Sequence, residues 1–133
     1  MPKISDDRLR CLLCSALEGG SNYWYMHVRN EFPPGVTYAD FREGGRLTLA
    51  EYWHPLELIP FVEGCAIFIT TDAAGDEGDK TERRLDRAAL LRGIEIMAEK
   101  YPRHFANVVS ENDDAETGDV FLQCCLFGEI VYG

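Results

Sequence analysis

The chain has 133 residues, 23 acidic against 13 basic, for a net charge of −10 with histidines neutral, and 46% of it is hydrophobic. That length and composition exclude wholesale disorder and suffice for one domain with its own core, without disulfides or metals. The charge argues against direct nucleic-acid binding, which needs clustered lysine and arginine to neutralise phosphate; it fits solubility, a basic protein partner, or mimicry of nucleic acid toward such a partner.

Ser5 or Asp6 can cap a first helix running to Glu18, with Leu9, Leu12, Leu13, Ala16 and Leu17 at helical spacing and Gly19-Gly20 at its end. Residues 21–30 alternate as a half-buried strand. Alternation sets Trp24, Met26 and Val28 on one face and Tyr23, Tyr25, His27 and Arg29 on the other. Residues 31–45 carry Pro33-Pro34-Gly35 and Gly44-Gly45, which predicts a long loop with one helical turn. Residues 47–53 read as a short strand or helix interrupted at His54-Pro55, and residues 58–63 are apolar but broken by Pro60.

Residues 65–71 are apolar on both faces and rich in β-branched side chains, the pattern of a central strand. An acidic turn over residues 73–79 and a return arm over residues 80–85 complete a hairpin. Asp86 caps a helix with Leu90, Ile94 and Met97 as its buried stripe; Pro102 stops or redirects it, and residues 104–109 form a further short helix. The last twenty residues are apolar where most chains fray, so the tail is docked. Asp113 with Glu116 is read as a capping box for a nearly buried tail helix, Gly128 as its C-cap, and residues 130–132 as a short strand or plug. The fold class expected is α+β: one small domain with a short antiparallel sheet covered on one face by three to four helices.

The opening residues lack an apolar run, which argues against a signal peptide, and no stretch reaches the length of a membrane span. Five cysteines in apolar stretches read as reduced core thiols of a cytoplasmic protein. Cys11 and Cys14 form C-x-x-C inside a helical pattern without a second pair, so no metal site is expected, and no cofactor motif is present. Gly19-Gly20-Ser21-Asn22 follows a helix and precedes a strand, the reverse of the order that cradles phosphate. His27, His54 and His104 show no zinc or nucleophile spacing.

A polar row of Tyr25, His27 and Arg29 could hold a planar ligand by stacking, with Arg29 pairing to a phosphate or carboxylate, and Asn22 and Tyr23 at the head of the strand are further ligand-binding candidates. An ordinary sheet face covered by a helix or loop accounts for the same row. Asp119 and Gln123 are i,i+4 neighbours inside the apolar tail helix and need partners if buried; Ser21, Asn22 and the Trp24 indole are suitable in type. The two ends of the chain are therefore expected to meet, as a structural junction first and a ligand site second.

The stretches Ala16-Leu-Glu-Gly-Gly-Ser-Asn-Tyr-Trp24 and Asp114-Ala-Glu-Thr-Gly-Asp-Val-Phe-Leu-Gln123, running into Leu126-Phe-Gly-Glu-Ile-Val-Tyr-Gly133, resemble a family of small uncharacterised proteins of bacteriophages, prophages and other mobile elements. The resemblance implies such an origin and an accessory role in the bacterial cytoplasm, without bringing catalytic residues. The function expected is binding of a host protein or a nucleotide-like small molecule, in the service of anti-defence. The alternative is a small enzyme acting on a nucleotide-like substrate through His27 with Asn22 or a tail carboxylate. Self-association into a homo-oligomer is left open.

Overall fold

Helix α1 (Asp6–Ser15) starts at Ser5, whose hydroxyl accepts from the Arg8 backbone N–H at 3.2 Å. The computed structural model describes residues 4–42, 55–73, 76–112 and 114–133. Leu9, Leu12 and Leu13 are buried, as their spacing predicts. The glycine pair does not end the helix at once: Ala16–Gly20 forms a wider π turn, closed by the Ser21 N–H donating to the Ala16 carbonyl at 2.8 Å. Gly20 can sit there because it has no side chain. A Cβ at that position would lie 2.1 Å from the Ala115 carbonyl oxygen.

Three antiparallel strands follow in the order β1 (Tyr25–Glu31), β2 (Ala66–Ala73) and β3 (Asp76–Leu85). β2 is central, as a strand apolar on both faces should be. Tyr25 pairs with Thr71 but His27 pairs with Thr70, so Met26 is the extra residue of a β-bulge. The bulge overturns the simple alternation: Tyr25 and Val28 turn toward the core, whereas Met26, His27 and Arg29 are exposed. The hairpin is also longer than expected, because pairing of Asp72 with Lys80 and Ala73 with Asp76 recruits the start of the acidic turn into β3. Ladder hydrogen bonds outweigh the poor strand propensity of Asp and Gly there.

The long loop contains one 3₁₀ turn, Tyr38–Phe41, fixed by a Thr37/Asp40 capping box and anchored by the buried Phe41. The segment 47–53 and His54 lie outside the described residues. Helix α2 (Pro55–Leu58) runs into a 3₁₀ turn, Ile59–Phe61, in which Pro60 is tolerated because it stands at the turn's start. Helix α3 (Arg87–Lys100) is capped by Asp86, which accepts from the Ala89 N–H at 2.9 Å. Pro102 redirects the chain by opening helix α4 (Pro102–Val109), since the first helical position needs no donor.

Helix α5 (Ala115–Phe127) is capped by Asp114, one residue later than the predicted box; Asp113 lies outside the described residues. Asp114 accepts from the Thr117 N–H at 3.0 Å, and Gly128 closes the helix in the left-handed region at φ 74°. Every residue from Thr117 to Cys125 is buried, because α5 lies between α1 and α3 and also touches β3. Close approach requires glycine at both crossings: a Cβ on Gly118 would stand 2.8 Å from the Leu12 carbonyl oxygen, and one on Gly93 would stand 2.2 Å from Cys125 Sγ. The helices cover the inner face of the sheet, where Ile67, Ile69 and Leu85 are buried, giving an α+β architecture. Among the described residues no helix is long and apolar enough to cross a membrane.

Candidate functional site

The one carboxylate buried on α5 organises the junction between the two ends of the chain. Asp119, 7% exposed, accepts hydrogen bonds from four side chains. Its Oδ1 receives the Ser21 hydroxyl at 2.8 Å, the Trp24 indole N–H at 2.7 Å and the Gln123 amide at 3.2 Å, while Oδ2 receives the Tyr23 hydroxyl at 2.6 Å. The π turn makes this convergence possible, since it delivers Ser21, Tyr23 and Trp24, three of four successive residues, against α5.

One helical turn further on, Gln123 is fully buried and holds the tail. Its Oε1 accepts from the Val131 and Tyr132 N–H groups at 2.7 and 2.8 Å, and its Nε2 donates to the Tyr132 carbonyl at 3.1 Å. Residues 130–132 are thus a plug and not a strand. The Tyr132 ring stacks on Trp24 with centroids 5.3 Å apart and planes 2° from parallel, and Phe127 packs on both rings.

Beside this network opens a cleft of about 420 Å³, lined by Tyr23, His104, Glu116, Asp119, Gln123, Ile130 and Tyr132 among others. His104 Nδ1 is buried there without a hydrogen-bond partner among the described residues. Tyr23 is largely exposed, yet its hydroxyl is pushed up to about 12, first by burial of that group and then by its hydrogen bond to Asp119 and the carboxylate's charge. The phenol therefore stays a donor at neutral pH.

Of the seven residues singled out from the sequence, Tyr23, Asp119 and Gln123 share this cleft. The other four do not. Asn22 is exposed in the turn and takes no part in the network; its place is taken by the neighbouring Ser21 and Tyr23. Tyr25, turned inward by the bulge, donates to the Leu17 carbonyl at 2.5 Å. His27 and Arg29 lie on the outer sheet face, where Arg29 grips Glu82 through two bonds of 2.7 and 3.1 Å and covers the Phe68 ring. The proposed row is therefore split across two faces. His104, Glu116 and Tyr132 are the lining residues that sequence reasoning passed over. Only the tail's apolar character hinted at them, through the plug.

A second cluster stands at the other side of the π turn, where Cys14, Glu18 and Glu57 bring ligand atoms within 4.8 Å of one another beside a cavity of about 240 Å³ that Tyr25 also lines. These ligand types suit a borderline divalent cation. However, Cys14 Sγ lies 2.6 Å from Glu18 Oε2, whereas thiolate and carboxylate ligands of one tetrahedral ion stand about 3.5 Å apart. The geometry is that of a thiol donating to a carboxylate. Burial, the Glu18 bond and the charges of Glu57 and Glu18 hold the thiol far above its ordinary range. Because the thiolate is the reactive form, Cys14 should be alkylated by iodoacetamide at neutral pH at least about tenfold more slowly than a free cysteine. Peptide mapping over time measures this, and labelling of Cys14 at the free rate would contradict the assignment. All five cysteines are free thiols.

No family model, curated protein or solved structure matches this chain, so its site must be read from its own geometry.

Proposed function

We propose that the chain is a small acidic binding protein of the phage or mobile-element accessory kind, working in the cytoplasm of a bacterial host, and that the cleft at Asp119 receives its ligand. The role fitting such a protein is interference with a host defence component, through a protein partner or a captured small molecule.

The observation that carries binding over turnover is the state of Asp119. Four donors from the chain itself hold the carboxylate, so it is a fixed, preorganised element of the wall, as a binding cleft requires. Among the described residues that line the cleft there is no serine or cysteine to act as a nucleophile beside a base. His27, on which the enzyme alternative is built, lies on the outer sheet face away from α5 and Asp119, which favours the binder.

The test is calorimetric titration of purified protein with nucleotides, nucleosides and basic peptides, followed by chromatography of the recovered ligand. Stoichiometric capture with the ligand returned intact is expected, with affinity for a basic peptide falling as salt rises. Conversion of a ligand to product that disappears in His104→Ala would replace the binder with an enzyme.

A further inference from the structure

Resting on that reading, we infer that the group received at Asp119 is an organic cation, a guanidinium or primary ammonium of the kind a basic side chain carries, and not a phosphate. Three observations converge on this class.

The first is the unequal loading of the carboxylate. Among the described residues Oδ1 takes three donors, but Oδ2 takes one, the Tyr23 hydroxyl. The less loaded oxygen, Oδ2, is where a further donor would meet a residue that lines the cleft. The second is charge. Every side chain bonded to Asp119 is neutral, no lysine or arginine is among the cleft's described lining residues, and exposed Glu116 adds a second carboxylate on the same helix three residues away. A phosphate would meet two like charges, whereas a guanidinium would find one fixed and one mobile counter-charge. The third is the aromatic lining. Tyr23 is 59% exposed and lines the cleft with Tyr132, so two aromatic side chains stand beside the carboxylates, the composition that suits a flat cation. Arg29, the residue suited to a phosphate, is engaged with Glu82 on the outer sheet face.

The experiment titrates the full chain at low salt with N-acetyl-arginine amide, agmatine, AMP and inorganic phosphate. N-acetyl-arginine amide should bind saturably, and Glu116→Gln should weaken it about tenfold, the loss of one charged contact. Glu129→Gln, an exposed change outside the cleft, should leave binding unaltered and separates local contact from net charge. Preference for the capped arginine over agmatine marks a protein-borne side chain, and the reverse marks a free amine; either supports the cation. Equal effects of Glu116→Gln and Glu129→Gln, or failure of both cationic probes to bind, would overturn it. Stoichiometric capture of AMP or phosphate instead would sink the cation and leave the binder standing. Hydrolysis of the bound cationic probe would keep the cation and remove the binder.

Discussion

Replacing Asp119 by alanine should lower the melting temperature by more than any other single polar substitution in the described chain. The carboxylate leaves behind three buried donors, the Ser21 hydroxyl, the Trp24 indole and the Gln123 amide. Each orphaned group costs about 1–3 kcal/mol, and water entering from the cleft recovers part of that, so a loss of about 3–5 kcal/mol is expected. Against a total stability of roughly 5–15 kcal/mol this is a large fraction, and for a domain of this size it corresponds to a fall of about 10–20 °C. Asn22→Ala, in the same turn but exposed, should stay within about 0.5 kcal/mol of the parent. Thermal melts by circular dichroism measure both. If the two variants melted together, the network would not be what joins the ends of the chain.

Substituting Gly118 with valine should be comparably damaging for a steric reason. The first carbon added would lie 2.7 Å from Ser15 Cβ, 2.8 Å from the Leu12 carbonyl oxygen and 2.9 Å from the Ala16 amide nitrogen. Two of those three atoms are backbone of α1 and its π turn, so no rotamer can make room and the helices must part. Overpacking of this kind costs about 1–3 kcal/mol and sometimes more, and the gain of under about 1 kcal/mol in helix propensity does not offset it. Gly19→Ala is the internal control, since a Cβ there meets nothing within 4 Å. Urea midpoints should therefore fall sharply for Gly118→Val and hold or rise for Gly19→Ala. A Gly118→Val protein as stable as the parent would mean that α1 and α5 are not in contact at this crossing.

Much of the fold is written locally. Ser5 and Asp86 mark helix starts because a cap is a bond between residues three apart, and Gly128 marks a helix end because the left-handed region suits glycine. Residues 65–71 announce a central strand because β-branched and apolar side chains suit a strand paired along both edges, although its outward Phe68 and Thr70 are only half-buried. The need of Asp119 and Gln123 for partners is legible in the same way, since polar groups inside an apolar helix must be bonded once buried.

The partners themselves were settled by the packed chain. Which of Ser21, Asn22, Tyr23 and Trp24 reaches Asp119 depends on the width of the π turn, and that width depends on Gly20 lying against Ala115 from the far end of the sequence. The face on which Tyr25 lies was settled by pairing with β2, because a bulge at Met26 shifts the strand's phase by one residue. The cleft needs His104 from α4, Glu116 from α5 and Tyr132 from the plug, three elements with no local signal for one another. Periodicity and capping are properties of a few neighbouring residues, whereas a cavity and a helix crossing exist only between segments that the folded chain brings together.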